Sequence, residues 1–464
     1  MQPSCAGGKH GAVHPGSDNP ANSGASLRCA EISVEEKQMS AAFPRPHRRW
    51  VVPRSVFAPV NILLFLLPAL TAFRFNAVGQ LMVSDFLAAA LFAALLARGR
   101  INLRQAYLRP VLIFYALWVA GMVLSDIVNQ SPVANMAKGW ALVGLFGIYL
   151  VVFFTLVDGR RDRLFYAMIG VGAAALLTSF TGNARGAFFG LQWKFGAGLS
   201  VTLLFLLALR VAGLGRRKTG FWLMAAAPLH LFLGARSLFL LTFLSGALSA
   251  FTLHFSRPRD RVFAISLVIM LLFGGMIAGE AVFGEIVKTG VLGQEMLNKY
   301  LAQTAGGRSI FFGGRPESIV SLRAISESPL LGHGSWAEKP QYRYLLYQLL
   351  QAQGAYVNWN AEYLTRVETI PSHSILLGTW VQHGVLAGLF WASVLVLGFR
   401  ALLAGAVAAR PGWSYEFLAI ATLLWDTLFS PFGGERRCVT ALFIVIAAAL
   451  LADHLKSLKK GQGG

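Results

Sequence analysis

The chain has 464 residues, 55% of them hydrophobic and only 13% charged, with a mean hydropathy of +0.57. Soluble domains carry about 25% charged residues, so the composition argues against a water-soluble fold. The formal charge of +20 does not point to nucleic acid either, because the Lys and Arg residues lie between apolar blocks. Cys5, Cys29 and Cys438 are too few and too scattered for a disulfide framework or a zinc site.

Residues 1–54 are rich in Gly, Ser, Pro, Ala and His, lack the apolar stretch of a signal peptide, and read as a disordered basic N-terminus facing the cytoplasm. Met39, which opens MSAAFPRPHRRW, is a second candidate start. From there apolar blocks of roughly 17 to 22 residues alternate with short links, the length a helix needs to cross the hydrocarbon layer. The blocks predict about twelve transmembrane helices in an all-α polytopic membrane protein. Nine fall within 55–279, near 56–73, 78–97, 110–127, 139–156, 164–180, 196–214, 219–235, 237–255 and 262–279. Three fall within 373–456, near 375–399, 415–431 and 438–454, followed by a cytoplasmic tail over 457–464. Alternate links hold 23 and 7 basic residues, which predicts that both termini are cytoplasmic.

The segment 280–372 is the exception to short links, and the same alternation puts it outside. Three helices are expected in it. GQEMLNKYLAQTAGG closes at Gly306; RPESIVSLRAISESP starts at Pro316 and stops at Pro329; KPQYRYLLYQLLQAQG carries Tyr342, Tyr344 and Tyr347, suited to a membrane interface. No phosphate-binding loop, dinucleotide fingerprint, DxD pair or HExxH is present, so neither a cofactor nor a protein-held metal is expected.

Outward arginines break the rule that orients the rest of the chain, which makes them candidates for holding an anion: Arg236, Arg185, Arg315, Arg436 and Arg437. Arg236 lies in HLFLGARSLFLLTF, where Ser237 is the expected cap of the following helix and the helix N-terminus favours a phosphate or diphosphate. The competing role is structural, a snorkelling arginine or a pair with Asp85 or Asp426. His373 lies in IPSHSILLGTWVQHGVLAGLF. With Ser372 as N-cap it enters the first helical turn, where the dipole favours the neutral imidazole that a general base requires. His333 in PLLGHGS and His383 in the polar kink QHG are weaker candidates.

GARSLFLLTFLSGAL, GGRPESIVSLRAISESPLLGHGS and PSHSILLGTWVQHGVLAGLF, in that order around a large outer segment, resemble the O-antigen ligase and polymerase superfamily. Its members carry an SRG-like hairpin, an "R…PLLG.G" run and an "HN…L…G..G" helix. The resemblance covers mainly 230–400; the chain departs from it at Ala235, where Ser is usual, and at Ser374, where Asn is common. It implies an inverting, metal-independent glycosyltransferase of the bacterial inner membrane, working on the periplasmic face, with 280–372 in the periplasm. The donor would be an undecaprenyl-diphosphate-linked glycan and the ligase acceptor a sugar hydroxyl of the lipid A core, with no nucleic acid involved. His373 would be the base and the outer arginines would bind the diphosphate. A polymerase or protein O-oligosaccharyltransferase would need the same donor site. A lipid-linked glycan flippase, the alternative from another class, would instead concentrate ionisable residues at the membrane midplane.

Overall fold

The computed structural model describes residues 58–462, apart from 78, 102–107, 181–192, 195, 252–262, 264–265, 267–283, 292, 305–314, 353–368 and 408–412. The N-terminal 54 residues and the candidate Arg185 therefore lie outside the described residues. In chain order the helices are α1 (Pro59–Ala69), α2 (Val83–Ala97), α3 (Leu108–Val128), α4 (Val133–Val157) and α5 (Arg161–Phe180). Next come α6 (Gly198–Val211), α7 (Arg216–Ala226), α8 (Pro228–Phe232), α9 (Arg236–Phe251) and α10 (Gln294–Thr304). The remainder are α11 (Pro316–Glu327), α12 (Pro340–Ala352), α13 (Ile375–His383), α14 (Val385–Val407), α15 (Ser414–Phe429) and α16 (Arg437–Gln462).

The chain is a helical protein with membrane-spanning character. Among the described residues, Arg109–Val128, Val133–Val157, Val385–Ala406 and Arg437–Leu458 are long and apolar enough to cross a membrane. A helix lies in each of the other predicted spans except 262–279, which falls almost entirely outside the described residues; α5 is 20 residues long with charged residues at its start, and the rest are shorter. Three local breaks explain part of the shortening. The expected span at 78–97 begins as a strand: β1 (Arg74–Ala77) pairs antiparallel with β2 (Gly79–Met82), with Gly79 at φ +89°. This hairpin is a small exception within the expected helical architecture; the alternation of Phe73, Phe75 and Ala77 with polar residues was its signal. The span at 219–235 divides at Pro228, whose ring nitrogen cannot continue the hydrogen-bond ladder. The third break is Gly384, at φ +74°, which separates α13 from α14 at the polar kink QHG.

Helix packing is set by aromatics in the centre and by glycine where backbones meet. Trp118 of α3 stacks on Phe390 of α14 at 5.1 Å between centroids, with Phe146 of α4 and Trp391 completing the cluster. Gly220 of α7 and Gly246 of α9 face each other so closely that a Cβ on either would come within 2.8 Å of the other's carbonyl oxygen. Apolar helices in lipid associate through such close backbone contacts, since burial from water does not drive them together.

The bundle has two chemically different ends. At one, Arg161 at the start of α5 binds Glu416 of α15 (Nε to Oε1, 3.1 Å) and Asp453 of α16 (3.2 Å). Arg210, near the end of α6, donates to the Tyr415 hydroxyl at 2.6 Å and lies over Trp413. Arg216, at the start of α7, donates to the carbonyls of Ser249 and Leu248 near the end of α9. These basic residues belong to the set predicted to be cytoplasmic, and the structure gathers them. The opposite end carries the starts of α2, α13 and α16, the ends of α3 and α15, and the outer-segment helices α11 and α12.

Candidate functional site

The site at that opposite end grows from two helix starts, α11 and α13. Pro316 opens α11, as predicted, because its missing N–H is one that no helix start can satisfy internally. Glu317 follows in the first turn, where the helix dipole favours a carboxylate. One turn further on, the Ser321 hydroxyl lies between the carbonyls of Glu317 and Pro371, at 2.9 and 3.1 Å, and holds the approach to α13 against α11.

Ser374, and not Ser372, caps α13: its hydroxyl accepts from the Leu377 N–H at 3.2 Å and donates to the Thr427 carbonyl of α15 at 3.0 Å. The reason is register. With Ser374 as cap, Ile375 and Thr379 are buried, whereas Ser372 lies beside Gly378, where an added Cβ would approach its hydroxyl to 2.8 Å. His373 therefore precedes the cap instead of entering the first turn, which removes the dipole argument for its neutrality. What it has instead is a carboxylate: its Nδ1 is 3.8 Å from Oε1 of Glu317. Its side chain is 52% exposed, open to a reactant.

Arg315, immediately before α11, lies across the end of α15. Its guanidinium is 4.3 Å from the Phe429 ring centroid and 5.3 Å from that of Trp425, two rings themselves 4.7 Å apart. Burial pulls its pKa down from the ordinary guanidinium value, while the negative charge of Glu317 opposes that shift. It forms no ion pair with a described residue.

The other candidates are differently placed. Arg437 opens α16 and is buried, forking onto both carboxylate oxygens of Asp85 and donating to the Gln80 carbonyl at 3.2 Å; Tyr149 also donates to Asp85 at 2.9 Å. Arg436 pairs with Asp426 at 2.7 Å, and Asp426 also accepts from Ser430. The acids expected as possible partners of Arg236 thus serve the two C-terminal arginines. Arg236 itself is the first residue of α9, so Ser237 lies inside the helix and is not its cap. The preceding turn is tied by the Ala235 N–H to the His230 carbonyl at 2.7 Å, and Ala235 packs with Trp193 and Leu238.

His333 and His383 hold the outer segment to the bundle. The N–H groups of His333 and Gly334 donate to the carbonyls of Val381 and Gln382 at 2.8 and 2.9 Å, and Val385 donates back to Leu330 at 3.1 Å. Only Gly384 permits this approach, since a Cβ there would meet the Leu330 oxygen at 2.0 Å. Beneath the seam, Trp118 donates to His383 Nδ1 at 3.0 Å, the other ring nitrogen meets the Ser335 hydroxyl at 3.1 Å, and Ser335 donates to Asp126 at 2.8 Å. All four side chains are buried, a satisfied network closed to reactants. Tyr342 and Tyr347, expected at a membrane interface, are buried as well; Tyr342 donates to Glu327 and packs edge-on against His333.

The arrangement supplies an exposed imidazole with a carboxylate behind it and a half-buried cation close by on an aromatic shelf. Sequence reasoning missed Glu317, Trp425 and Phe429; an acid two residues after the candidate Arg315 was the available signal. No protein-family model, curated protein or solved structure matches the chain.

Proposed function

We propose that the chain is a glycosyltransferase of the bacterial inner membrane, with about twelve spans and a catalytic face in the periplasm. Its reaction is transfer of O-antigen glycan from undecaprenyl diphosphate to a sugar hydroxyl of the lipid A core. Support comes from the proximity of His373, Glu317 and Arg315, side chains from two of the motifs that resemble the O-antigen ligase and polymerase superfamily. In the proposed step His373 takes the acceptor hydroxyl proton as the oxygen bonds to the anomeric carbon. The bond from that carbon to the diphosphate oxygen breaks, and the electron pair leaves with the diphosphate. Arg315, half-buried and without an ion-pair partner among the described residues, is the cation placed to stabilise the growing charge. Arg236 is a second contributor, at a helix start. Arg436 and Arg437 are committed to the carboxylates of Asp426 and Asp85 instead.

A polymerase would use the same donor chemistry with a glycan acceptor. The test is product formation by purified protein in detergent, without an ion gradient, from an undecaprenyl-diphosphate-linked oligosaccharide and lipid A core. Transfer that falls about 10² to 10⁴-fold in His373→Ala is expected. Failure of the wild-type protein to transfer, with gradient-dependent movement of the lipid-linked glycan in vesicles, would favour a flippase.

A further inference from the structure

Glu317 has an unusual environment. Its Oε1 faces His373 Nδ1 at 3.8 Å, while Oε2 is buried and has no hydrogen-bond partner among the described residues. A buried carboxylate oxygen without a donor costs free energy, so its retention calls for a compensating role. Structural duties near it belong to other atoms: the backbone carbonyl of Glu317, not its side chain, receives the Ser321 hydroxyl, and Ser374 caps α13. The remaining charged groups at this corner are Arg315 on α11, which lies over the rings of α15, and Asp426 on α15, already paired with Arg436 of α16. Among the described residues, Glu317 is thus the carboxylate within ion-pair distance of His373.

We propose that Glu317 is the positioning residue for His373, accepting its Nδ1–H and so presenting Nε2, unprotonated, to the acceptor hydroxyl. This inference rests on the transferase reading above. The gap of 3.8 Å is longer than a hydrogen bond, and rotation of the half-exposed imidazole closes it; such contacts tighten when substrate binds. An imidazole with one nitrogen held by a carboxylate has its tautomer set, which leaves the other nitrogen to take the proton. As the acceptor O–H bond breaks and its proton arrives on Nε2, the ring becomes a cation, and the Glu317 charge stabilises it. Arg315, two residues earlier, serves the opposite charge on the leaving diphosphate, so one helix start addresses both sides of the step.

The experiment compares Glu317→Gln, Glu317→Asp and His373→Ala in the full-length protein in detergent, with an undecaprenyl-diphosphate-linked oligosaccharide as donor and lipid A core as acceptor. Undecaprenyl diphosphate serves as the binding probe. Glu317→Gln should lower kcat about 10- to 100-fold, the range for removing a group that orients a functional histidine, with donor KM and probe affinity within about twofold of wild type. Glu317→Asp should recover part of the loss, because the charge remains. Added to His373→Ala, Glu317→Gln should cost nothing more, since residues acting as one unit are not additive. Wild-type kcat in Glu317→Gln, a loss carried wholly by KM, or a full further loss in the double variant would each overturn the inference. If Glu317→Gln does not fold, Glu317→Asp carries the test: turnover no better than that of His373→Ala then counts against positioning. The parent reading fails separately, when His373→Ala itself turns over at the wild-type rate.

Discussion

Arg437 and Arg315 stand at the same end of the bundle, each at the start of a helix, and their burial sends them to different work. Arg437 is almost fully buried, forks onto Asp85 and pins α16 to α2 and to the β1–β2 hairpin. Arg315 is half-buried, rests on two rings and has no ion-pair partner among the described residues. The first cation's charge is matched inside the protein by a carboxylate, and the second's is not matched by any described residue. An outward arginine is therefore not in itself a binding residue: whether a carboxylate lies within reach decides.

The largest effect should come from breaking the first corner. Arg437→Ala leaves Asp85 buried without its partner, and such removal costs about 3 to 5 kcal/mol. Thermal unfolding in detergent should show a large loss, much of it regained when Asp85→Leu is added. Unchanged unfolding in Arg437→Ala would mean the pair is not a structural tie.

At the second corner the outcome should be reversed. Arg315→Lys keeps the charge and loses the planar fork, so transfer should fall on the order of 10- to 100-fold, the equivalent of one or two charge-assisted hydrogen bonds, with unfolding little changed. Wild-type transfer in Arg315→Lys would remove this arginine from the diphosphate role. Excess EDTA should leave the wild-type reaction running.

The smallest effect concerns how firmly the outer segment supports Arg315. His333 is held below the ordinary imidazole value, first by burial, with the Ala324 carbonyl and the Glu327 charge opposing the shift. A depressed folded-state value means that the unfolded chain binds the proton more tightly. Stability is therefore complete above the ordinary value of about 6.5 and declines as pH falls below it. Hydrogen exchange over 316–349 should accelerate modestly between pH 7.5 and pH 5.5, and His333→Gln should flatten that response. An equal response in the variant would assign it to other groups.

Much of the frame was legible before any coordinates. Pro316 and Pro329 bound α11 as read, the kink at QHG falls at Gly384, and Arg161, Arg210 and Arg216, three of the basic residues predicted to share one face, lie at one end of the bundle. The cap of α13 was misread because Ser372 and Ser374 are equivalent in sequence, and only burial of Ile375 and Thr379 chooses between them. Of the tyrosines of α12, Tyr344 is exposed as expected, whereas Tyr342 is buried because Glu327 and His333 offer its hydroxyl partners.

What the sequence determined by itself was the helical, membrane-embedded class, because a count of apolar residues against charge needs no knowledge of neighbours. It also put forward His373 and five outward arginines as candidates, since their position relative to the basic links is visible in one dimension. Tertiary structure decided that Arg436 and Arg437 pair with carboxylates, and which carboxylate stands behind His373. Asp85 is 352 residues from Arg437, and Glu317 is 56 from His373 by residue number. Electrostatic partnership depends on separation through space and on burial, and over such distances along a chain neither is written in the local pattern.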